Sequence, residues 1–203
     1  MNTLFIITGP SGGGKSTLVH EVMKKMSGLQ FSVSHTTRKK RKGEKEGKDY
    51  YFLSKKKFEQ MIREKKMVEW ARVHGDYYGT SQKEMERKKK EGDLILDIDI
   101  QGAQQIKEQF GKVVFVFIMP PGYEELKKRL ENRAQENEVS IQKRLESAEK
   151  EITHYSEFDY VVINDHLRKA ADELGAIITA RRCHLDIQEK KIQLILRSFI
   201  SHD

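Results

Sequence analysis

The chain has 203 residues, of which 38 are Lys or Arg and 31 are Asp or Glu, giving a formal net charge of +7 at pH 7. Hydrophobic residues make up 37%, enough for the core of one domain, or of one domain with lobes. No apolar run approaches the roughly 20 residues that span a membrane, and no signal-peptide pattern opens the chain. The single cysteine, Cys183, excludes an intramolecular disulfide and a multi-cysteine zinc site, so a reducing cytoplasm is the expected compartment.

The first predicted elements are a strand, a glycine-rich turn and a helix. Leu4 to Ile7 form a short apolar run, as expected of a strand buried on both faces of a parallel sheet. The turn fits the pattern G-x-x-x-x-G-K-[ST], and its place between a strand and a helix supports that pattern. Its backbone N–H groups and the helix N-terminus predict a phosphate cradle. Lys15 would reach the β- and γ-phosphates, and the Ser16 hydroxyl would ligate Mg²⁺.

The next part of the chain, residues 32–80, predicts a small mixed lobe of short strands and one helix. The helix is expected at 55–66, with Phe58 facing inward, and Trp70 is expected in the core. The strands are predicted at residues 32–37, 50–53, 67–73 and 77–79.

Buried parallel strands are predicted again in the second half of the chain, at 94–99, 113–119 and 160–164. Helices are expected at 122–133, 140–156 and 167–182. Strands alternating with helices predict an α/β fold of three layers with a parallel core sheet. The core would comprise residues 1–31 and 81–184, with a helical lid at about 122–156. Residues 185–203 form an apolar and basic extension, either an extra helix or a tail that packs against the body or another subunit.

Two carboxylates, Asp97 and Asp99, follow the apolar strand residues from Leu94 onward. Residues two apart point to the same face of a strand, and ligands bind beyond the carboxyl ends of parallel strands. Asp97 is therefore a candidate to orient Mg²⁺ or its waters. The alternative is that both residues cap the strand end or pair with basic neighbours.

A phosphate loop alone is compatible with a GTPase, a motor, a helicase or a small-molecule kinase. The chain is short for a helicase and has no Asn-Lys-x-Asp guanine motif. The inserted segment decides, because a series of its residues, in order and with nearly unbroken spacing, forms a specific signature. The segments are Ser32 to Glu44, Gly47 to Phe52, Glu69 to Ala71, Gly75 to Thr80, Leu96 to Gly102, Pro120-Pro121, Arg129 to Arg133, Lys143 to Leu145 and Val162 to Asp165. With them, the chain resembles the guanylate kinases, P-loop nucleoside monophosphate kinases, from residue 3 to about 180.

The resemblance implies transfer of the γ-phosphate of ATP to GMP, and to dGMP, in purine nucleotide metabolism and GMP recycling, with Mg²⁺ as cofactor. It implies that the lobe at 32–80 binds GMP. The residues that would bind GMP are Ser34, Arg38, Arg41, Tyr50, Glu69, Tyr78, Thr80 and Asp99, of which Glu69, Thr80 and Asp99 would read guanine. The residues expected to act in catalysis are Lys15, Arg41, Arg133 and Arg144. The residues that would bind ATP are Gly9, Pro10, Ser11, Gly12, Gly13, Gly14, Lys15, Ser16 and Thr17, with Asn164 and Asp165 near the adenine. The metal ligands would be Ser16 and Asp97.

Three other functions are weighed against this one. Some guanylate-kinase-like domains bind proteins without catalysis, but they usually lack an intact phosphate loop or GMP-site residues. A related kinase for a sugar phosphate would not need Glu69. The basic run Arg38 to Lys42 could be a nucleic-acid patch, whose mark would be strongly salt-dependent retention, but its context disfavours this. ATP and GMP are thus the expected partners, with no membrane or nucleic acid, and a homo-oligomer is left open.

Overall fold

A computed structural model of the chain describes residues 2–73, 75–133 and 138–200. Within these ranges the strands are β1 (Leu4–Thr8), β2 (Leu29–Phe31), β3 (His35–Thr36), β4 (Tyr51–Phe52), β5 (Met67–Val73), β6 (Asp76–Ser81), β7 (Asp93–Asp97), β8 (Val113–Met119) and β9 (Tyr160–Ile163). The helices are α1 (Lys15–Lys25), α2 (Lys55–Arg63), α3 (Gln82–Glu91), α4 (Ile100–Gln109), α5 (Tyr123–Arg133), α6 (Glu138–Ile152), α7 (Leu167–Cys183) and α8 (Leu185–Ile200), with a 3-10 helix at Thr153–Glu157.

The core sheet is parallel and has the strand order β2-β7-β1-β8-β9. Its central strand, β1, is wholly buried, which its unbroken apolar sequence requires. Helices α1 and α7 pack on one face through residues such as Leu18 and Leu174. Helix α4 packs on the other face through Ala103 and Ile106. The expected α/β fold of three layers is confirmed.

The chain segment between β2 and α3 forms a second sheet, with the strand order β4-β3-β6-β5. Strands β5 and β6 are antiparallel and place Glu69 opposite Thr80. Helix α2 packs on this sheet through Phe58, which is fully buried and stacks on Tyr77 with a centroid distance of 5.3 Å. The two sheets meet at the carboxyl ends of the core strands, where the phosphate loop lies.

The predicted strand at 32–37 is wrong in its bounds. The Ser32 N–H still donates to the Ile95 carbonyl of the core sheet, at 3.0 Å, but the chain then crosses to the second sheet at His35. One segment therefore serves two sheets, and only two of its residues are strand.

Two expectations about burial are also wrong. β9 was expected to be a buried strand, but it lies at the edge of the sheet, and Tyr160, Val161 and Ile163 are exposed. Trp70 was expected in the core, but 36% of its surface is exposed. It follows the buried Glu69 in β5 and therefore points to the opposite face of the second sheet, where its ring meets Tyr77 edge-on.

Helix α8 extends the chain beyond α7 and makes few contacts with the rest of the protein. Asp186 pairs with Arg181 at 3.0 Å and with Lys112 at 3.5 Å. The extension is helical from Leu185 to Ile200, so it is an extra helix rather than an irregular tail. Its apolar side chains Leu194, Ile195, Leu196 and Phe199 are exposed. None of the helices in the described ranges is both long and apolar enough to cross a membrane.

Candidate active site

A cavity of about 500 Å³ lies between the phosphate loop, the second sheet and helix α6. It is lined by residues from sequence-distant segments: the carboxyl ends of core strands β1 and β7, the second sheet with its loops, and helix α6. The predicted residues that line it are Gly9, Ser11, Gly12, Gly14, Lys15, Ser16, Ser34, Arg38, Arg41, Tyr50, Glu69, Tyr78, Asp97, Asp99 and Arg144. The predicted residues that the cavity lining does not include are Pro10, Gly13, Thr17, Thr80, Asn164 and Asp165. Arg133 ends α5, and its side chain lies outside the described part of the chain.

The phosphate loop turns sharply into α1 at Gly14. Gly14 caps the helix with φ 86°, a left-handed conformation that glycine adopts without strain. A Cβ at this position would also collide with the amide of Asn164, because Asn164 Nδ2 donates to the Gly13 carbonyl at 2.8 Å. Asn164, the residue after β9, thus stabilises the backbone of the loop. Lys15 curls over the loop and donates from Nζ to the Gly9 carbonyl at 2.6 Å.

Asn164 and its neighbour Arg129 form a support for the loop that the sequence did not indicate. Asn164 is buried, and its carbonyl accepts from Arg129 Nη2 at 2.9 Å. Arg129 also pairs with Glu125 at 2.8 Å, as expected of a salt-bridged helix face. Arg129 is only partly exposed, however, and its Nη1 is buried, with no hydrogen-bond partner in the described ranges. Asp165, in contrast, is exposed beside Lys169.

The Ser16 hydroxyl and the Asp97 carboxylate meet at the mouth of the loop. Ser16 Oγ donates to Asp97 Oδ2 at 2.9 Å, which joins the start of α1 to the end of β7. Two hard oxygen donors this close, beside a phosphate cradle, fit a Mg²⁺ ion that takes its other ligands from phosphate and water. The described residues contain no cluster of three or more His, Cys, Asp or Glu side chains that could hold a metal alone.

A corner of the second sheet gathers positive charge and hydroxyl groups. The Arg38 guanidinium lies over the Tyr50 ring, 5.3 Å from its centroid, and Tyr50 meets Tyr78 edge-on at 6.0 Å. Burial raises the pKa of Tyr50 to about 12, so its hydroxyl remains a hydrogen-bond donor. Ser34 and Arg41 line the same corner. Guanidinium forks and hydroxyls together suit a phosphate monoester.

Glu69 is a buried carboxylate with an unpaired oxygen. Only 2% of its surface is exposed, and its Oε1 has no hydrogen-bond partner among the described residues. Burial raises the pKa of Glu69 to about 7; the polar groups of the neighbouring Thr80 oppose this rise, and the nearby charge of Asp99 adds to it. The Thr80 hydroxyl beside it in the sheet is also buried and unpaired within the described ranges. Buried polar groups without partners are costly, so this pair indicates a ligand with hydrogen-bonding groups.

The strand predicted at 94–99 does not include both Asp97 and Asp99, because β7 ends at Asp97. Asp99 is the N-cap of α4 and accepts from the Gly102 N–H at 2.9 Å. It also accepts from Gln101 Nε2 at 3.2 Å, and burial raises the pKa of its carboxyl. Both carboxylates nevertheless line the cavity. Asp97 serves the loop side and Asp99 the side that holds Glu69.

The structure adds residues to the site that sequence reasoning did not single out. Arg72, Gln101 and Gln104 line the cavity. Gly102 permits the closeness of Glu69 to α4, since a Cβ there would collide with Glu69 Oε2. Glu44, although part of the quoted signature, received no function, and it binds Arg38 directly. Except for Glu44, whose partners lie in its own loop, each depends on the packing of distant segments, which no local pattern reports.

The fold and the cavity together define a P-loop phosphotransferase, with the phosphate loop on one side of the cavity and a group of arginine and tyrosine side chains on the other. The family model described as guanylate kinase matches residues 1–181. The chain belongs to the guanylate kinase family. It is 44% identical over 183 residues to a guanylate kinase of Desulfitobacterium hafniense, covering 90% of this chain and 92% of that one. It is 44% identical over 195 residues to one of Caldanaerobacter subterraneus subsp. tengcongensis, covering 96% and 94%.

A solved structure supports the same assignment. The crystal structure of guanylate kinase from Anaplasma phagocytophilum superposes with a TM-score of 0.76 at 34% identity, covering 90% of this chain and 87% of that chain. The structure of TT1252 from Thermus thermophilus, at 13% identity and a TM-score of 0.51, shows likeness of fold alone.

Proposed function

We propose that this chain transfers the γ-phosphate of ATP to GMP, and to dGMP, giving ADP and GDP. One observation carries the proposal: a single cavity holds a phosphate cradle, an arginine and tyrosine corner, and a buried carboxylate with an unpaired oxygen. The first would bind the donor, the second the acceptor phosphate, and the third the acceptor base. This activity serves purine nucleotide metabolism and the recycling of GMP.

The donor would lie on the loop from Gly9 to Thr17. Lys15 would leave its contacts with the loop carbonyls to reach the β- and γ-phosphates. The closeness of Ser16 to Asp97 supports Mg²⁺ between them, where the ion would neutralise charge on the transferring group. Asn164 and Asp165 would border the adenine. Because the Asn164 amide and carbonyl bind Gly13 and Arg129, we expect its effect on ATP to pass through the loop as well.

The acceptor phosphate would be bound by the guanidinium and hydroxyl groups of the second sheet. These are the side chains of Ser34, Arg38, Arg41, Tyr50 and Tyr78. Their number suits a dianion, since Arg38 and Arg41 can offer paired N–H donors and the hydroxyls can donate to the other oxygens.

Guanine would be read by Glu69, with Thr80 and Asp99 beside it. A carboxylate accepts from the N1–H and the exocyclic N2–H₂ of guanine together, a donor pair that adenine lacks. With AMP the carboxylate of Glu69 would stay buried and unpaired, which should discriminate strongly against AMP.

Transfer itself would depend on positioning and on positive charge around the phosphoryl group. Arg41, Arg133 and Arg144 would supply that charge, and the helices at about 122–156 would close as a lid that excludes water. No general base is needed, because the GMP phosphate is already an anionic nucleophile near neutral pH.

The proposed function includes a compartment and an oligomeric state for the enzyme. A cytoplasmic location fits the single cysteine, Cys183, which is free. The exposed apolar side chains of α8 are compatible with a homo-oligomer.

The test is ADP release from ATP and Mg²⁺ with GMP, dGMP, AMP, CMP and UMP offered in turn. GMP and dGMP should give turnover, and the other acceptors should stay near the level without acceptor. Lys15→Ala should abolish turnover with GMP, whereas Lys24→Ala, an exposed lysine of the same helix, should leave it unchanged. No turnover with GMP above the acceptor-free control would refute the proposal and favour a protein-binding module.

A further inference from the structure

Glu44 binds both arginines of the phosphate corner, which is the group of Ser34, Arg38, Arg41, Tyr50 and Tyr78. Its Oε1 accepts from Arg38 Nη2 at 2.6 Å, and its Oε2 accepts from Arg38 Nη1 at 3.2 Å. The same Oε2 accepts from the backbone N–H of Arg41 at 2.7 Å. The Glu44 N–H returns a bond to the Arg41 carbonyl at 3.3 Å, which closes the turn between the two residues.

The Glu44 carboxylate is ionised and largely shielded from water. The side chains of Arg38 and Glu44 are 13% and 18% exposed, respectively. Although burial works against it, the Arg38 guanidinium and the Arg41 N–H hold the pKa of Glu44 below its ordinary value. A bidentate, partly buried pair of this kind fixes the plane of the guanidinium, unlike a solvated surface pair.

Glu44 acts on the cavity without lining it. Arg38, Arg41, Tyr50 and Tyr78 border the cavity, and Glu44 is not among its lining residues. A guanidinium carries five N–H donors. Arg38 directs two of them to Glu44 and a third, from Nη1, to the Lys39 carbonyl at 2.8 Å, so it retains donors for a phosphate. On its other side the Arg38 guanidinium rests on the Tyr50 ring. The arginine is thereby clamped between a carboxylate and an aromatic face.

We propose that Glu44 is a positioning residue for the acceptor phosphate. This inference rests on the proposed function, since it assumes that the corner binds the phosphate of GMP. An arginine side chain has many rotamers, and ordering it costs binding free energy unless the protein has ordered it beforehand. Glu44 supplies that order to Arg38 through its side chain and to Arg41 through its backbone. Its effect must therefore depend on the phosphate and not on the guanine base.

The experiment compares GMP with guanosine, which has the same base and ribose but no phosphate. Glu44→Gln keeps the shape of the side chain and removes its charge, and Glu44→Asp keeps the charge with a shorter reach. Asp49→Asn is the matched control, because Asp49 binds the Lys45 N–H of the same loop at 2.7 Å without touching an arginine. Steady-state rates give KM for GMP, KM for ATP and kcat, inhibition gives the affinity for guanosine, and thermal unfolding verifies the fold of each variant.

We expect Glu44→Gln to raise KM for GMP about tenfold or more, with KM for ATP and guanosine affinity within about twofold of the unchanged protein. Glu44→Asp should recover part of the loss, and Asp49→Asn should show none. An unchanged KM for GMP in Glu44→Gln would overturn the inference, since the carboxylate would then contribute nothing to phosphate binding. A lower KM would also overturn it, since the carboxylate would then compete with the phosphate for Arg38. Equal losses for GMP and guanosine would also overturn it, because they would mark a general structural effect. Failure of the proposed function is distinct, since the unchanged protein would then give no turnover with GMP.

Discussion

The carboxylate of Glu69 lies directly against the backbone of Gly102, so that no Cβ could stand between the two. Glu69 belongs to the second sheet and Gly102 to the first turn of α4, next to the Asp99 cap. The proposed base site would therefore be formed by the contact of a strand with a helix N-terminus. A single methyl group at this contact should disturb the reading of guanine.

Gly102→Ala is expected to raise KM for GMP by about tenfold, because the new Cβ displaces the Glu69 carboxylate from its place. Alanine favours a helix over glycine by about 1 kcal/mol, so the helix itself should not weaken. Gly111→Ala is the control, since a Cβ at Gly111 meets nothing within 4 Å. Kinetics with GMP and with ATP as the varied substrate check this, and equal effects of the two substitutions would contradict it.

Glu69→Gln should stabilise the fold at pH 8 while weakening GMP binding. The pKa of Glu69 is raised by burial from 4.5 to about 7, so its ionised form disfavours the folded state. The protonated Glu69 therefore contributes to the free energy of unfolding. This contribution is fully present below about pH 4.5 and is lost as the pH rises through about 7, to the extent of about 3 kcal/mol. Glutamine does not ionise and escapes this loss. Thermal unfolding from pH 4 to pH 8 should show the variant gaining over the unchanged protein only as the pH rises.

The same titration predicts a pH effect on the unchanged enzyme. Only the ionised Glu69 accepts from both guanine donors, so KM for GMP should rise as the pH falls below about 7, with KM for ATP little changed. In Glu69→Gln this rise should disappear. A KM for GMP that stays flat between pH 6 and pH 8 in the unchanged protein would assign the base contact to another group.

Asp97→Asn should raise the Mg²⁺ concentration required for half-maximal rate by about tenfold or more, because an amide orients the metal and its waters less well than a carboxylate. The Ser16 hydroxyl can still donate to the amide oxygen, so the fold of the loop should persist. Asp172→Asn, at an exposed carboxylate of α7 that pairs with Lys25, is the matched control. Rates measured over a Mg²⁺ series would contradict the assignment if both variants gave the same half-maximal concentration.

Removal of residues 185–203 should leave kcat and both KM values within about twofold, since the cavity lining includes no residue of α8. The helix is tied to the body mainly through Asp186 and through Gln188, which donates to the Arg182 carbonyl. Removal from residue 167 onward is the contrast, because it deletes the buried Leu174 and Ile178 of α7 and should abolish folding. Circular dichroism and rates on the two truncated chains separate these outcomes.

The sequence predicted best where one segment contains its own signal. The apolar run of β1 and the glycine spacing of the loop need no partner to be recognised, and the strand predicted at 113–119 is β8 with the same bounds. β2 escaped notice because Leu29, Gln30 and Phe31 are extended only through their pairing with β7. Trp70 and β9 were placed in the core for their apolar character, although position at a sheet edge or on an outer face decides exposure.

The candidate site shows the same division. Residue types and spacing led to Lys15, Ser16 and Asp97, which the fold brings together. The function of Gly102 comes from its contact with Glu69 of the second sheet, which no spacing in the chain reports. The function of Glu44 comes from bonds to Arg38 and Arg41 of its own loop, and their geometry depends on how that loop turns. Sequence reasoning thus found most of the groups that would touch a ligand and missed those that hold them in place.

The hydrogen bond from Asn164 to Gly13 joins residues that are 151 positions apart. During synthesis the phosphate loop leaves the ribosome about 150 residues before Asn164, the residue that braces it. At 5–20 residues per second, that delay is roughly 8 to 30 seconds. The nascent chain therefore has the loop sequence long before it has the loop structure, and tight nucleotide binding should begin only after β9 has joined the sheet.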